Sequence, residues 1–301
     1  MTTAFVLSGG AGLGAVQVGM LRALYERGFK ADLIVGTSAG AVNGAYIASR
    51  PQDRQTAEDL ADVWRQLRRG DVFPVSPLTG LLGFLGARDH LVADGALRKR
   101  VAAHLECDRL EQMPVPLHVV TVDLLSGQEL LLSEGPALEA VMASAAIPGV
   151  LPPVDWGDRL LIDGGVANNT PISHAIALGA DRIYVLPTGN TCALEDPPRG
   201  ALGMALHAIS LLTQQRLIAD IELRRDEADL IVLPPPCPLT VAPIDFSRAD
   251  DLIEQAYSDA CDFLDHGGDD APPIRMRMHD HARRPDRQVA PASRPRSLNV
   301  P

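Results

Sequence analysis

Twice within the first forty residues, a short apolar run stops at glycine and opens at once into a helical pattern. Residues 3–8 lead into Gly9-Gly10-Ala11-Gly12-Leu13-Gly14, and Leu33-Ile34-Val35 lead into Gly36-Thr37-Ser38-Ala39-Gly40. A strand that passes straight into a helix, with no hairpin turn, reaches its next strand by a crossover. The arrangement therefore demands parallel pairing, with helices lying over the sheet. The first helix, expected over 14–27, carries Val18, Leu21 and Tyr25 at helical spacing, and Gly28 stops it as a left-handed cap would. The second, expected over 41–49, is built from small residues. Further strands are expected at 117–122, 129–132, 160–162, 182–186 and 230–233. Further helices are expected at 57–68, 95–105, 137–145, 200–224 and 249–264. The expected fold is α/β, a three-layer α/β/α sandwich with a mainly parallel central sheet covered on both faces.

One domain is expected over 1–266. Residues 267–301 hold six prolines, seven arginines and four aspartates with almost no large apolar side chain. Such a segment has too little to bury, and a disordered tail is expected there. Residues 77–87 form an apolar, glycine-rich stretch that either lines a channel, caps it as a lid, or packs as a core helix or turn.

The formal charge of −11 excludes a nucleic-acid partner, which needs clustered lysine and arginine. Cys107, Cys192, Cys237 and Cys261 lie far apart with no CxxC pair, so neither a zinc site nor a disulfide framework is expected. No metal and no cofactor are expected. Residues 1–10 lack a basic leader and read as a strand, and no apolar stretch reaches the roughly 18 residues of a membrane span. The expectation is a cytoplasmic chain, peripheral to membranes at most.

Three blocks carry chemistry. Gly36-Thr37-Ser38-Ala39-Gly40 is G-x-S-x-G between a strand and a helix, the setting in which that motif forms a nucleophile elbow. The serine is presented at the strand's carboxyl end, and the next helix aims its N-terminal dipole at any oxyanion formed there. The alternative is a glycine-rich turn with an idle serine. Gly10-Ala11-Gly12-Leu13-Gly14-Ala15 fits a dinucleotide fingerprint, but the acidic residue that reading needs, Asp32, stands at the wrong end of the second strand. An oxyanion loop beside Ser38 fits better, with close packing as the remaining alternative. Asp163-Gly164-Gly165 ends another strand. An aspartate there can serve as the base a serine requires, although Asp-Gly-Gly by itself is more often a turn.

Together these blocks resemble the patatin-like phospholipase family. The resemblance covers about 4–186 and rests on Leu7-Ser8-Gly9-Gly10 through Gln17-Val18-Gly19, the Gly36–Gly40 elbow, Ala143-Ser144-Ala145-Ala146-Ile147-Pro148 with Pro152-Pro153, and Asp163 to Pro171. It implies hydrolysis of lipid acyl esters by a Ser–Asp dyad with no catalytic histidine. Matched by position, Ser38 is the nucleophile, Asp163 the base, and Gly10, Ala11 and Gly12 the oxyanion amides. Gly36, Gly40, Gly164 and Gly165 support them. The partner implied is a lipid or acyl-ester substrate, with transient contact at a membrane surface. In the family's usual first block, Gly-Gly-Gly-x-Arg/Lys-Gly, a third glycine and a basic residue stand where this chain has Ala11 and Leu13. Losing that charge makes a neutral ester or lysolipid as credible a substrate as a diacyl phospholipid.

A Ser–acid–His triad fits poorly, because Ser38 follows only the second strand. His207 falls in a helix pattern, His174 near a helix start, and His279 and His281 in the tail. Asp123, at a strand end, reads as a turn carboxylate. An acyltransferase using the same elbow and a non-catalytic binding module are the alternatives of different class.

Overall fold

The computed structural model describes residues 1–74, 89–190, 192, 198 and 200–266. The segment 77–87 and the tail 267–301 lie outside the described residues.

Among the described residues the strands are β1 (Thr3–Leu7), β2 (Leu33–Thr37), β3 (Leu117–Asp123), β4 (Glu129–Leu132), β5 (Val154–Trp156), β6 (Arg159–Asp163), β7 (Arg182–Leu186) and β8 (Asp229–Val232). They form one sheet whose hydrogen-bonded neighbours trace the path β5-β6-β3-β2-β1-β7-β8, with β4 on the other edge of β3. The helices are α1 (Ala15–Glu26), α2 (Ala39–Ala48), α3 (Arg54–Gln66), α4 (Arg69–Val72), α5 (Gly95–His104), α6 (Ala137–Ser144), α7 (Ile172–Ala177), α8 (Gly200–Arg224) and α9 (Ala249–His266). The fold is the expected three-layer α/β/α sandwich.

The central strands are apolar along their whole length because both faces are covered. Phe5, Leu7 and Ile34 point into a core shared with α1, α2, α3, α6 and α9. Ala4, Val6, Leu33 and Val35 point the other way, onto Ile172 and Ala175 of α7 and Leu217 and Ile221 of α8. Each large side chain so buried contributes about 1.5–3 kcal/mol. α3 starts three residues earlier than periodicity places it, because the Asp53 carboxylate accepts the Thr56 amide at 2.9 Å and caps the first turn.

β1, β2, β3, β7 and β8 are mutually parallel. β4 and β6 run antiparallel to β3, and β5 pairs antiparallel with β6. The register along β3 fixes how the sheet brings the site together. Val119 and Val120 pair with both β2 and β4, while Thr121 and Val122 pair with both β4 and β6. A residue has one neighbour on each side, so β2 and β6 must share an edge of β3. They run towards each other along it. β2 ends with Thr37 opposite Val120, and β6 ends with Asp163 opposite Thr121. The sequence pattern suggests parallel strand ends lying side by side. The structure corrects this: the Asp163 strand is antiparallel, and the two strands meet head to head.

Candidate active site

Ser38 occupies the first residue of that junction. Its backbone takes φ 54°, ψ −122°, a region that costs a non-glycine residue on the order of 1–3 kcal/mol. Several contacts hold the strained turn in place. The Ser38 carbonyl accepts the amides of Ala41 and Val42, at 2.9 and 3.1 Å. A Cβ on Gly40 would strike the carbonyl of Leu7, so only glycine lets α2 start this close to the end of β1. The Ser38 amide donates to Ser144 Oγ at 2.8 Å, and Ser144 Oγ donates to the Val120 carbonyl at 2.7 Å. Ser144 thus bridges the two strands where β2 turns away from β3.

The Ser38 hydroxyl donates to Asp163 Oδ2 at 2.7 Å. The other carboxylate oxygen, Oδ1, accepts the Gly165 amide at 2.7 Å. Both residues are buried, each about 6% exposed. Burial pushes the Asp163 pKa up to about 6, against the opposing pull of the Gly165 and Ser38 hydrogen bonds. A carboxylate with an ordinary pKa is a weak base, whereas one near 6 is better matched to taking a proton at neutral pH.

The loop after β1 lies over the same strand ends. Gly9 donates to the Asn169 carbonyl at 3.0 Å, and the Asn169 side-chain amide donates back to the Gly9 carbonyl at 3.3 Å. A Cβ on Gly10 would collide with Thr188, whose hydroxyl donates to the Gly9 carbonyl at 2.7 Å. Among the described residues, the amides of Gly10 and Ala11 have no partner. The Gly12 amide, however, donates to the Pro243 carbonyl at 2.7 Å. Of the three amides expected to face an oxyanion, Gly12 is therefore already used, by a chain segment distant in sequence. Ala11 has φ 48°, the left-handed region, which explains why a glycine suits this position. Leu13 is buried in the core.

A buried polar network positions this loop. Gln17 donates to the carbonyls of Ser8 and Leu186, at 2.8 and 3.0 Å. Asn43 donates to the Gly14 carbonyl and to Gln17 Oε1, and Trp64 Nε1 donates to Asn43 Oδ1 at 2.8 Å. Gln17 and Asn43 are fully buried and satisfied, which rigidifies the loop rather than destabilising it.

A cleft opens on Ser38 and Ala11 and runs along α2 past Val42 to Tyr46. Its walls are largely apolar, with Trp64, Phe73, Leu97, Ile147 and Phe246 among them. Arg100 also lines it, with its charge directed to Asp71 at 3.1 Å.

The other candidates fall elsewhere. Asp32 accepts the Thr3 amide at 2.7 Å at the opposite end of the sheet, which removes the dinucleotide reading. Asp123 accepts Ser126 and Leu125 amides in its own turn. His174 pairs with Glu129 at 2.5 Å. Among the described residues no histidine hydrogen-bonds Ser38, and no three metal-ligating side chains cluster. Gly36 and Gly164 pack against neighbouring backbone, at Gly40 and Val120 respectively.

The fold and the elbow define an α/β protein that presents a serine over a strand end. A family model described as patatin-like phospholipase matches residues 5–176, more than half of the chain, and the chain belongs to that family. An uncharacterized NTE family protein of Mycobacterium tuberculosis is 32% identical over 179 residues, 59% of this chain and 46% of that protein. Patatin-like phospholipase domain-containing protein 7 of Rattus norvegicus is 30% identical over 196 residues, 62% of this chain and 14% of that protein. Lysophospholipase NTE1 of Pyricularia oryzae is 26% identical over 288 residues, 86% of this chain and 18% of that protein. The chain thus spans less than half the length of these relatives. VipD from Legionella pneumophila superposes with a TM-score of 0.48 at 15% identity, over 88% of this chain and 66% of that one.

Proposed function

We propose that this chain is a serine hydrolase of lipid acyl esters in which Ser38 is the nucleophile and Asp163 the general base. The observation that carries the reading is the 2.7 Å hydrogen bond from the Ser38 hydroxyl to a buried Asp163 carboxylate at the head of an apolar cleft. Asp163 takes the hydroxyl proton as Ser38 Oγ attacks the ester carbonyl. The Gly10 and Ala11 amides donate to the oxyanion of the tetrahedral intermediate. The C–O bond to the alcohol breaks, and the leaving alkoxide takes the proton from Asp163. Water then repeats the sequence on the acyl-enzyme and releases the carboxylic acid.

The apolar walls suit an acyl chain, and the family and the lysophospholipase-named relative support a lipid substrate. Leu13 is buried and Arg100 is paired with Asp71, so neither offers a free cation beside the oxyanion loop to attract a phosphate. Neutral acyl esters are therefore favoured over phosphate-bearing lipids. A panel of monoacylglycerol, lysophosphatidylcholine and diacyl phosphatidylcholine, run on wild type and Ser38→Ala, tests this. Monoacylglycerol should turn over fastest, and all turnover should vanish in the variant. Addition of excess glycerol should not divert the acyl group into new ester, as an acyltransferase would.

A further inference from the structure

The long helix α8 changes character half-way along its outer face. It has 25 residues, so it is about 37 Å long, whereas the five-residue strand β7 that precedes it spans only about 17 Å. Among the described residues its buried side chains, Gln214, Leu217, Asp220 and Ile221, all lie in the second half. α8 begins after the carboxyl end of β7, where Thr188 touches the oxyanion loop, and returns to the start of β8. Its first half therefore projects past the carboxyl edge of the sheet, the edge on which Ser38 stands. There Leu206 reaches over to the main core.

On the solvent side, this projecting half presents Met204, Ala205, Ala208, Ile209 and Leu212, spaced as one helical stripe, while the half lying on the sheet presents Gln215, Arg216, Ala219, Glu222 and Leu223, polar and apolar mixed. No Asp, Glu, Lys or Arg occurs from 200 to 215. Among the described residues, the other exposed large hydrophobic side chains divide in the same way. Leu124 and Leu125 stand just past the end of β3, and Val166 follows Asp163 by three residues, all on the Ser38 edge. Met1, Leu178 and Leu223 are exposed at the opposite edge.

We propose that the projecting half of α8, with Leu124, Leu125 and Val166, docks the protein on a zwitterionic lipid surface so that the Ser38 edge faces the lipid. The proposal rests on the lipid-hydrolase reading for the choice of occupant. The size of the stripe supports that choice over a second copy of the chain. From 204 to 212 it is about 13 Å long and about 10 Å wide, far below the roughly 800 Å² per partner of a stable protein interface, whereas shallow insertion into a lipid surface needs no more than an apolar helix face. The net charge of −11 disfavours an anionic surface.

The test is flotation of the full chain with phosphatidylcholine vesicles, carrying Ser38→Ala so that the lipid stays intact. The set Met204→Glu, Ile209→Glu and Leu212→Glu should lower the vesicle-bound to free ratio at least about tenfold, with an unchanged melting temperature and little effect of salt. Leu223→Glu, at the far edge, should float like the parent. If the glutamate set unfolds, the corresponding serine set is read instead. Parent protein that does not float, or a variant set that floats like the parent, overturns the proposal. A parent that sediments as a dimer and a variant set that sediments as a monomer would assign the stripe to a second copy instead. Flotation needs no turnover. Full hydrolysis by Ser38→Ala would thus remove the hydrolase reading while leaving the flotation result to decide the docking.

Discussion

Replacing Asp163 with asparagine should stabilise the folded chain at neutral pH while abolishing its activity. The Asp163 carboxyl is buried, and burial raises its pKa from 3.8 to about 6. Between those values the unfolded chain has released this proton and the folded chain still holds it. The folded state binds more protons, so this group's contribution to stability falls as pH rises from about 4 to 6. A displacement of about two pH units corresponds to about 3 kcal/mol lost by pH 7. Asparagine is nearly isosteric, keeps an oxygen for the Gly165 amide and carries no charge. The variant should match wild type near pH 4 and exceed it by up to about 3 kcal/mol at pH 7. Part of that gain is offset by about 1 kcal/mol if the Ser38 hydroxyl loses its acceptor. Urea unfolding of both proteins from pH 4 to 8 reads the difference directly, because every other titrating group cancels. A stability difference that is constant with pH, or a variant less stable than wild type at pH 7, would show that the folded chain does not hold the Asp163 proton above its ordinary range.

Other expectations follow from the same geometry. kcat/KM on a soluble ester should fall on the acid side with a midpoint near pH 6, as Asp163 gains its proton and ceases to be a base, and a pH-rate profile measures it. Ser144→Ala strands the Ser38 amide and the Val120 carbonyl in the interior. It should cost about 2–4 kcal/mol in denaturant unfolding and lower kcat at least about tenfold at unchanged KM. Val42→Trp puts bulk into the cleft wall below Ser38. It should depress turnover of long-chain esters at least about tenfold relative to acetate esters, as judged by kcat/KM across a chain-length series.

The strand–glycine–helix blocks at Gly9–Gly14 and Gly36–Gly40 made the α/β layering and the position of Ser38 legible from sequence, because both depend on local pattern. The direction of the Asp163 strand did not depend on such a pattern. A short apolar run such as Leu160-Leu161-Ile162 does not say which way it pairs. A clue lay just before it: Val154-Asp155-Trp156, then Gly157-Asp158, is a two-residue hairpin signal, and Gly157 has φ 65°. That hairpin turns β6 back to meet β2 head to head. Contacts between distant segments were invisible for a plainer reason. Nothing in the Gly10–Gly14 loop announces that Pro243 will take the Gly12 amide. Nothing around Ser144 announces that its hydroxyl will bridge Val120 and Ser38, and Gln17 and Asn43 read as unremarkable helix polars until the fold buries them together.

In the proposed reaction Ser38, activated by Asp163, attacks an acyl ester. The most direct measurement is covalent labelling with a fluorophosphonate, followed by peptide mass spectrometry to locate the adduct. A single adduct on Ser38 is expected, formed at least about a hundredfold more slowly in Asp163→Asn and absent in Ser38→Ala. An adduct on another serine with Ser38 unmodified, or labelling of Ser38 that is indifferent to Asp163→Asn, would contradict it.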